Sequence, residues 1–166
     1  KQLLKEAEVE VNIPCSGPEY QSSKEYFRAN AYALSTDMMM AKKKALAEAR
    51  AELATAMNVT VKRVTDNYAS SYQVGEQEEA KGRFEDMARS VVNEKLTGTR
   101  VICEKMMKTS DGKYKAYVAI ELAGGEIAKA MDARIKSDEK LRIDYEYEKF
   151  KKVFDEEMSN LEKEQK

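Results

Sequence analysis

Several residue types are scarce or missing in this chain of 166 residues, and each absence excludes a class of function. There is no His and no Trp, and there are only 2 Cys, 2 Pro and 7 Gly. Without His, Ser-His-Asp and Cys-His catalytic groups and His-ligated metal sites are excluded. No Gly-rich phosphate loop is present, which excludes P-loop and dinucleotide chemistry. No apolar run is long enough to predict a membrane-spanning helix.

Charge is abundant but balanced: 36% of the residues are charged, with Lys+Arg 29 against Asp+Glu 30. Nucleic-acid binders usually carry an excess of Lys and Arg, so we predict no nucleic-acid partner. We also expect no enzymatic activity and no cofactor. The raw material for catalysis is carboxylate pairs such as Asp37 with Glu48 and Glu121 with Glu126. In a chain this rich in charge, such pairs arise by chance.

Two features of the sequence bear on the cellular compartment of the protein: the N-terminus and the cysteines. The chain begins at Lys1, and its first residues are too polar for the apolar part of a signal peptide, so we expect that an upstream secretory signal has been removed. Cys15 lacks the small preceding residues of a lipoprotein cleavage site, which puts any lipidated cysteine upstream. Cys15 and Cys103 can form one disulfide, but nothing in the sequence places them side by side. Two free, half-buried thiols are therefore slightly favoured.

The first half of the chain alternates between strand and helix patterns. Residues 7–13 have period two and predict a half-buried strand, followed by a loop over 15–24. Residues 25–34 predict another strand, whose small Ala face suits a closely packed helix. The run 38–57 predicts that helix, and β-branched residues over 59–65 predict a strand after it. We interpret the Met38-Met39-Met40 triplet as core packing rather than a metal or haem site.

The second half predicts a helix, a hairpin and a charged tail. A helix is predicted over 77–92, and strands over 99–108 and 114–122 flank an Asp111-Gly112 turn, a strong hairpin pattern. Residues 126–164 contain no Gly or Pro and predict a mostly continuous helix. A break near Ser137-Asp138 with the second part folding back is the alternative.

Together these patterns predict an α+β fold. A small antiparallel or mixed sheet carries one or two helices on one face, and a long charged helix follows at the C-terminus. The predicted division is an N-terminal strand and loop segment over 1–24, a globular domain over 25–125 and a helical extension over 126–166.

The order of elements resembles a known family of envelope proteins. An Ala-studded helix (Ala41 to Ala54), a Leu96-Thr97-Gly98 step and an Asp111 to Tyr114 hairpin are similar to the LPP-twenty lipoproteins of bacterial cell envelopes. They are also similar to the N-terminal domain of flagellar assembly protein T. The resemblance covers about residues 25–123. It implies an exported, often lipid-anchored and non-enzymatic protein that supports envelope structures, with no catalytic residues to carry over.

Two functions remain in competition. The first is an interaction or assembly-support module of the periplasm or outer membrane, self-associating or binding another chain through an apolar stripe of the C-terminal helix. That stripe comprises Ile143, Tyr147, Phe150, Phe154, Met158 and Leu161. The second is a small-ligand or peptide binder that uses tyrosines of the predicted strands. Those tyrosines are Tyr26, Tyr32, Tyr68, Tyr72, Tyr114 and Tyr117. Membrane attachment is expected only through an upstream lipid anchor.

Overall fold

A computed structural model describes residues 8–72 and 78–165, leaving out the side chains of Tyr72 and Glu78. Three antiparallel strands form one sheet in the order β1-β3-β2: β1 is Tyr26–Ser35, β2 is Arg100–Lys108 and β3 is Tyr114–Ala123. Within these described ranges, four helices accompany the sheet: α1 is Met38–Tyr72, α2 is Glu78–Lys95, α3 is Gly124–Ser137 and α4 is Tyr147–Gln165. Short 3-10 turns lie at Pro18–Tyr20 and Leu96–Gly98. The predicted α+β fold is confirmed.

The hairpin between β2 and β3 turns where the sequence predicts it. The Thr109 amide donates to the Lys113 carbonyl at 2.8 Å, and the Gly112 amide donates to the Thr109 carbonyl at 3.1 Å. Gly112 has a φ of 85°, in the left-handed region that favours glycine. The Asp-Gly pair therefore sets the turn.

Helix α1 continues through the segment that was predicted to be a strand, so that prediction is wrong. The Asp37 carboxylate caps its first turn by accepting from the Met39 amide at 2.8 Å and the Met40 amide at 3.2 Å. Val61 and Val64 are buried at helical spacing, in line with Leu53 before them and Tyr68 after them. Burial of this stripe outweighs the weak β preference of valine and threonine.

The N-terminal segment also differs from the prediction. Residues 8–13 form no strand, and Val9, Val11 and Ile13 are exposed; position 7 lies outside the described residues. The alternation is present in the sequence, but no neighbouring strand pairs with it among the described residues. Met38, Met39 and Met40 are exposed as well, so the interpretation of this triplet as core is wrong.

The C-terminal region forms two helices rather than one continuous helix. The alternative prediction, in which the chain breaks near Ser137-Asp138 and folds back, is therefore the one that the structure follows. Helix α3 ends at Ser137, where the Asp138 carboxylate accepts from the amides of Lys140 at 2.9 Å and Leu141 at 3.0 Å. The Arg83 guanidinium of α2 also binds this carboxylate, at 3.0 Å. These contacts turn the chain so that α4 packs back on α1 and α3.

One hydrophobic core joins the sheet and all four helices. It extends from Phe27 of β1 through Val91 of α2 to Leu161 of α4, so residues 126–165 belong to the same core as the predicted globular domain. Four stripe residues, Phe150, Phe154, Met158 and Leu161, are buried in that core. The predicted interaction stripe is thus covered by the chain itself, and only Ile143 and Tyr147 of the six remain exposed.

An aromatic cluster closes the end of the core between α1, α2 and α4. The Tyr68 ring lies 5.7 Å from Phe150, 6.0 Å from Tyr145 and 6.2 Å from Phe84, measured between ring centroids. The Tyr145 hydroxyl donates to the Asp132 carboxylate at 2.6 Å. Burial, together with this hydrogen bond, raises the pKa of Tyr145 far above its usual value. The phenol therefore stays neutral inside the core.

None of the helices in the described ranges combines the length and the apolar character needed to cross a membrane.

Candidate binding surface on the sheet

The two faces of the sheet have different roles because successive side chains of each strand point to opposite sides. The inner face, with Phe27, Ala116 and Val118, is buried against α1. On the outer face, the register aligns side chains of the three strands in four rows. The rows are Leu34, Lys115 and Met107; Tyr32, Tyr117 and Lys105; Asn30, Ala119 and Cys103; and Arg28, Glu121 and Arg100.

The N-terminal segment covers the third row. Cys15 and Cys103 form a disulfide with their Cα atoms 5.6 Å apart, joining residues 88 positions apart in sequence. Ala119, on this row, is fully buried although it points away from the core. The two free thiols that the sequence slightly favoured are not found, since both cysteines are in the disulfide. The N-terminal segment leaves the first two rows of the outer face uncovered.

The fourth row is a cluster of ion pairs around Glu121. Glu121 is 5% exposed, and its carboxylate binds the Arg28 guanidinium at 3.0 Å and the Arg100 guanidinium at 2.5 Å. Glu126, which was named with Glu121 as a chance carboxylate pair, pairs with Lys95 at 3.8 Å. In the other carboxylate pair, Asp37 caps α1. The structure therefore gives Asp37, Glu121 and Glu126 structural partners.

The second row holds the aromatic part of the open surface. The rings of Tyr32 and Tyr117 lie 5.7 Å apart, and the Lys115 ammonium lies 4.3 Å from the first ring and 5.2 Å from the second. The Tyr117 hydroxyl raises the pKa of Lys115, so its charge persists. Tyr32 is 52% exposed. Exposed rings beside a cation suit recognition of another molecule.

The other predicted tyrosines do not join this pair. Tyr68 is in the core, and Tyr26 lies under the Arg28 guanidinium at the opposite end of the sheet. Tyr114 lies near the Lys108 ammonium, 5.8 Å from its ring. The side chain of Tyr72 lies outside the described part of the structure. The tyrosines therefore do not line one shared pocket.

The free edge of β1 divides into a closed half and an open half. At Arg28, the Ser22 hydroxyl accepts from the amide at 2.9 Å and donates to the carbonyl at 3.3 Å. At Tyr26, the amide donates to the Ser23 hydroxyl at 3.2 Å and the carbonyl accepts from the Ser23 amide at 2.9 Å. These contacts show that alternate residues of β1 direct their backbone groups away from β3.

By the same alternation, Asn30, Tyr32 and Leu34 direct their amides and carbonyls to the open half of the edge. None of these groups has a hydrogen-bond partner among the described residues. Such a row of unpaired groups is a template for another strand. The sequence over this half, Asn-Ala-Tyr-Ala-Leu, carries no charge and no Pro, and its pairing with β3 has no bulge.

The other edge of the sheet is protected in comparison. Strand β2 has an irregularity in its pairing between Val101 and Cys103 and carries the charged residues Arg100, Glu104 and Lys105. Bulges and charged side chains discourage a further strand from pairing. The contrast identifies β1 as the edge that is suited to strand addition.

A groove runs between the open half of β1 and the first turns of α1. Its volume is about 670 Å³, and Asn30, Ala31, Tyr32 and Ala33 line its strand side. Lys44, Ala47, Glu48 and Glu52 line the helix side, with Ile13 and Ser16 at its margin. Sequence reasoning missed this site. The sequence feature related to this site is the face of small Ala side chains on β1. It correctly predicted a closely packed helix, but it did not predict the groove beside that helix.

Within the described ranges, no cluster of three or more His, Cys, Asp or Glu residues could hold a metal ion. No model of a known protein family matches the chain, and no curated protein matches it as a relative.

Proposed function

We propose that this chain is an exported, non-enzymatic protein of the bacterial cell envelope that binds an extended segment of another protein along the open half of β1. The observation that carries the proposal is the set of unpaired backbone groups at Asn30, Tyr32 and Leu34. An added strand pairs with these groups through main-chain hydrogen bonds. In this proposal, the two functions considered from the sequence, an interaction module and a peptide binder, are the same activity.

The surroundings of the edge give the added strand its specificity. Its side chains alternate between the two faces of the extended sheet. One set lies beside Tyr32 and Leu34 on the outer face, and the other set lies above Ala47 in the groove. Small or apolar side chains suit the groove position because the methyl groups of Ala31, Ala33 and Ala47 line it.

Export is supported by the disulfide and by the resemblance to envelope proteins. Disulfides persist in oxidising compartments and are rare in the cytosol. The Cys15–Cys103 disulfide holds the N-terminal segment across the sheet, so it is part of how the open half is bounded. Membership of the LPP-twenty type and lipid anchoring through an upstream segment are parts of this proposal.

The proposal assigns no reaction to the chain. The carboxylates of Asp37, Glu121 and Glu126 are engaged in a helix cap and in ion pairs, and the chain contains no His. A small-ligand site built from tyrosines has less support, because only Tyr32 and Tyr117 come together and they do so on an open face.

Site-specific photocrosslinking in the native bacterium tests the binding function. A photoreactive phenylalanine analogue replaces Tyr32 in one variant and the exposed Asp86 of α2 in a matched control. We expect a discrete crosslinked protein from position 32 that is absent from position 86. Adding a Leu34→Pro substitution removes one edge amide and should abolish that product. The absence of a product at position 32, or equal products at both positions, argues against the proposal.

Thiol trapping in the same cells tests the compartment. Cells are quenched with acid and alkylated with a maleimide polymer before and after reduction. We expect no modification of Cys15 and Cys103 until the reductant is added. Modification of both thiols without reductant places the chain in a reducing compartment and contradicts export.

A further inference from the structure

The end of the molecule that carries the β2–β3 turn has an unusual group of exposed apolar side chains. Met38 is 47% exposed, Met39 61% and Met40 45%, all in the first turn of α1. Met107 is 47% exposed and shares a row of the outer face with Leu34 and Lys115. Single exposed apolar residues are common in proteins, but these lie together at one end.

Lysines surround this group. Residues 32–44 and 104–115 contain seven lysines and three carboxylates, although the whole chain has a net charge of -1. Those lysines are Lys42, Lys43, Lys44, Lys105, Lys108, Lys113 and Lys115. We call the four methionines and these seven lysines the basic end.

The three carboxylates do little to neutralise the basic end. Asp37 accepts from the first amides of α1, and Glu104 pairs with Lys42 at 3.1 Å. Asp111 binds the Thr109 hydroxyl within the turn. The Asp111 carboxylate also interacts with Lys113, which helps to lower the pKa of Asp111. Within the described part of the chain, Lys43 and Lys105 form no ion pair with any of the three. The basic end is therefore positively charged and apolar at once.

We infer that the basic end binds the surface of a lipid bilayer that contains anionic lipids. Flexible methionine side chains enter the boundary between headgroups and acyl chains, while the lysine stems extend and keep their ammonium groups among the phosphates. Each lysine close to an anionic surface contributes attraction that salt screens. The charge complementarity favours a bilayer over a neutral partner, and the methionines favour it over a purely ionic one.

This surface adjoins the strand-binding edge but is separate from its hydrogen-bonding groups. The edge uses backbone groups of Asn30, Tyr32 and Leu34, whereas the basic end uses side chains of α1 and the hairpin. Membrane contact at the basic end would hold the open edge of β1 close to the bilayer. Either binding activity can fail without the other, so the two are tested apart.

Cosedimentation of the full, oxidised chain with vesicles tests the inference. Vesicles of phosphatidylglycerol mixed with phosphatidylcholine are compared with vesicles of phosphatidylcholine alone. We expect binding to the mixed vesicles that decreases with added salt, and little binding to the neutral ones. Lys105→Glu/Lys113→Glu should weaken that binding about thirtyfold or more, because each lysine near the surface contributes about 1 kcal/mol. Met38→Ser/Met39→Ser should weaken it at unchanged charge.

The matched control is Lys81→Glu/Lys152→Glu, which makes the same change in net charge on exposed parts of α2 and α4. It should bind the mixed vesicles almost as the parent does. Circular dichroism and melting temperature verify that all variants fold. Equal losses in both lysine pairs, or no binding to mixed vesicles at low salt, overturn the inference. Binding to immobilised polyglutamate without binding to vesicles also overturns it, because the surface would then recognise an acidic protein.

Discussion

At the scale of single residues, the β2–β3 turn depends on Gly112. Its φ of 85° is costly for a β-branched side chain. Gly112→Val should lower the free energy of unfolding by about 1–2 kcal/mol, measured by urea denaturation. Gly112→Asn is the matched control and should cost less, since Asn tolerates the left-handed region. Equal stability of the parent and the valine variant would show that the turn does not need this conformation.

Single residues also explain where sequence reasoning about the site succeeded and failed. Tyr32 and Tyr117 were predicted to be binding aromatics, and the register brings them side by side. Tyr68 was predicted on the same grounds, but its position in α1 places it in the core. The residue type alone does not separate these cases. What distinguishes Tyr32 and Tyr117 from Tyr68 is that they face each other across the sheet, and this pairing depends on contacts between residues distant in sequence.

At the scale of elements, α1 and the C-terminal helices differ from the main predictions in opposite directions. The β-branched residues over 59–65 predicted a strand, yet burial of Val61 and Val64 continues the helix. The run after Gly125 contains no Gly or Pro, yet the helix stops at Ser137. Asp138 makes the break by binding backbone amides, and Asp144 has a positive φ of 61°. A break near Ser137-Asp138 was the alternative prediction. Composition could not decide between it and a continuous helix, because the break depends on local hydrogen bonds.

The break predicts a dependence of stability on pH. Burial would raise the pKa of Asp138, but the amides of Leu141 and Lys140 and the Arg83 guanidinium lower it below its usual value. The charged carboxylate therefore stabilises the fold above its unfolded pKa, and this stability is lost as the pH falls through the lowered value. Asp138→Asn should cost about 1 kcal/mol at pH 7.

Melting temperatures between neutral pH and about pH 3 measure that effect. The gap between the parent and Asp138→Asn should narrow as the solution is acidified. Asp86→Asn, at an exposed position on α2, is the control and should show a small gap throughout. A constant gap for Asp138→Asn would mean that its charge does not hold the break.

At the scale of the whole molecule, α4 completes the core rather than extending from it. Phe150 is fully buried and contacts the rings of Tyr68, Tyr145 and Phe154. Phe150→Ala should lower the free energy of unfolding by about 3–5 kcal/mol, as measured by urea denaturation. Ile143→Ala, at a position that is 61% exposed, should change it by about 0.5 kcal/mol or less. Similar small effects of the two substitutions would show that Phe150 is not buried in the core, which would contradict the account.

The strand order explains why the binding edge was not predictable. The three strands of the sheet, the hairpin and the first half of α1 follow from local patterns, whereas the β1-β3-β2 order sets which edge is free. That order pairs β1 with a strand about ninety residues later in the chain, as the Arg28–Glu121 partnership illustrates. The disulfide is equally non-local, since Cys15 meets Cys103 only after both lie on the outer face.

The central claim is that the open half of β1 has unpaired backbone groups along its edge. Amide hydrogen exchange tests this claim most directly. In the free, oxidised chain, nuclear magnetic resonance should show slow exchange at Ala29, Ala31 and Ala33, which pair with β3. Exchange should be fast at Asn30, Tyr32 and Leu34, and slow at Arg28, where Ser22 closes the edge. A period of two along the strand is the expected result. Protection at Asn30, Tyr32 and Leu34 equal to that of their neighbours would contradict the claim, because the edge would already be paired.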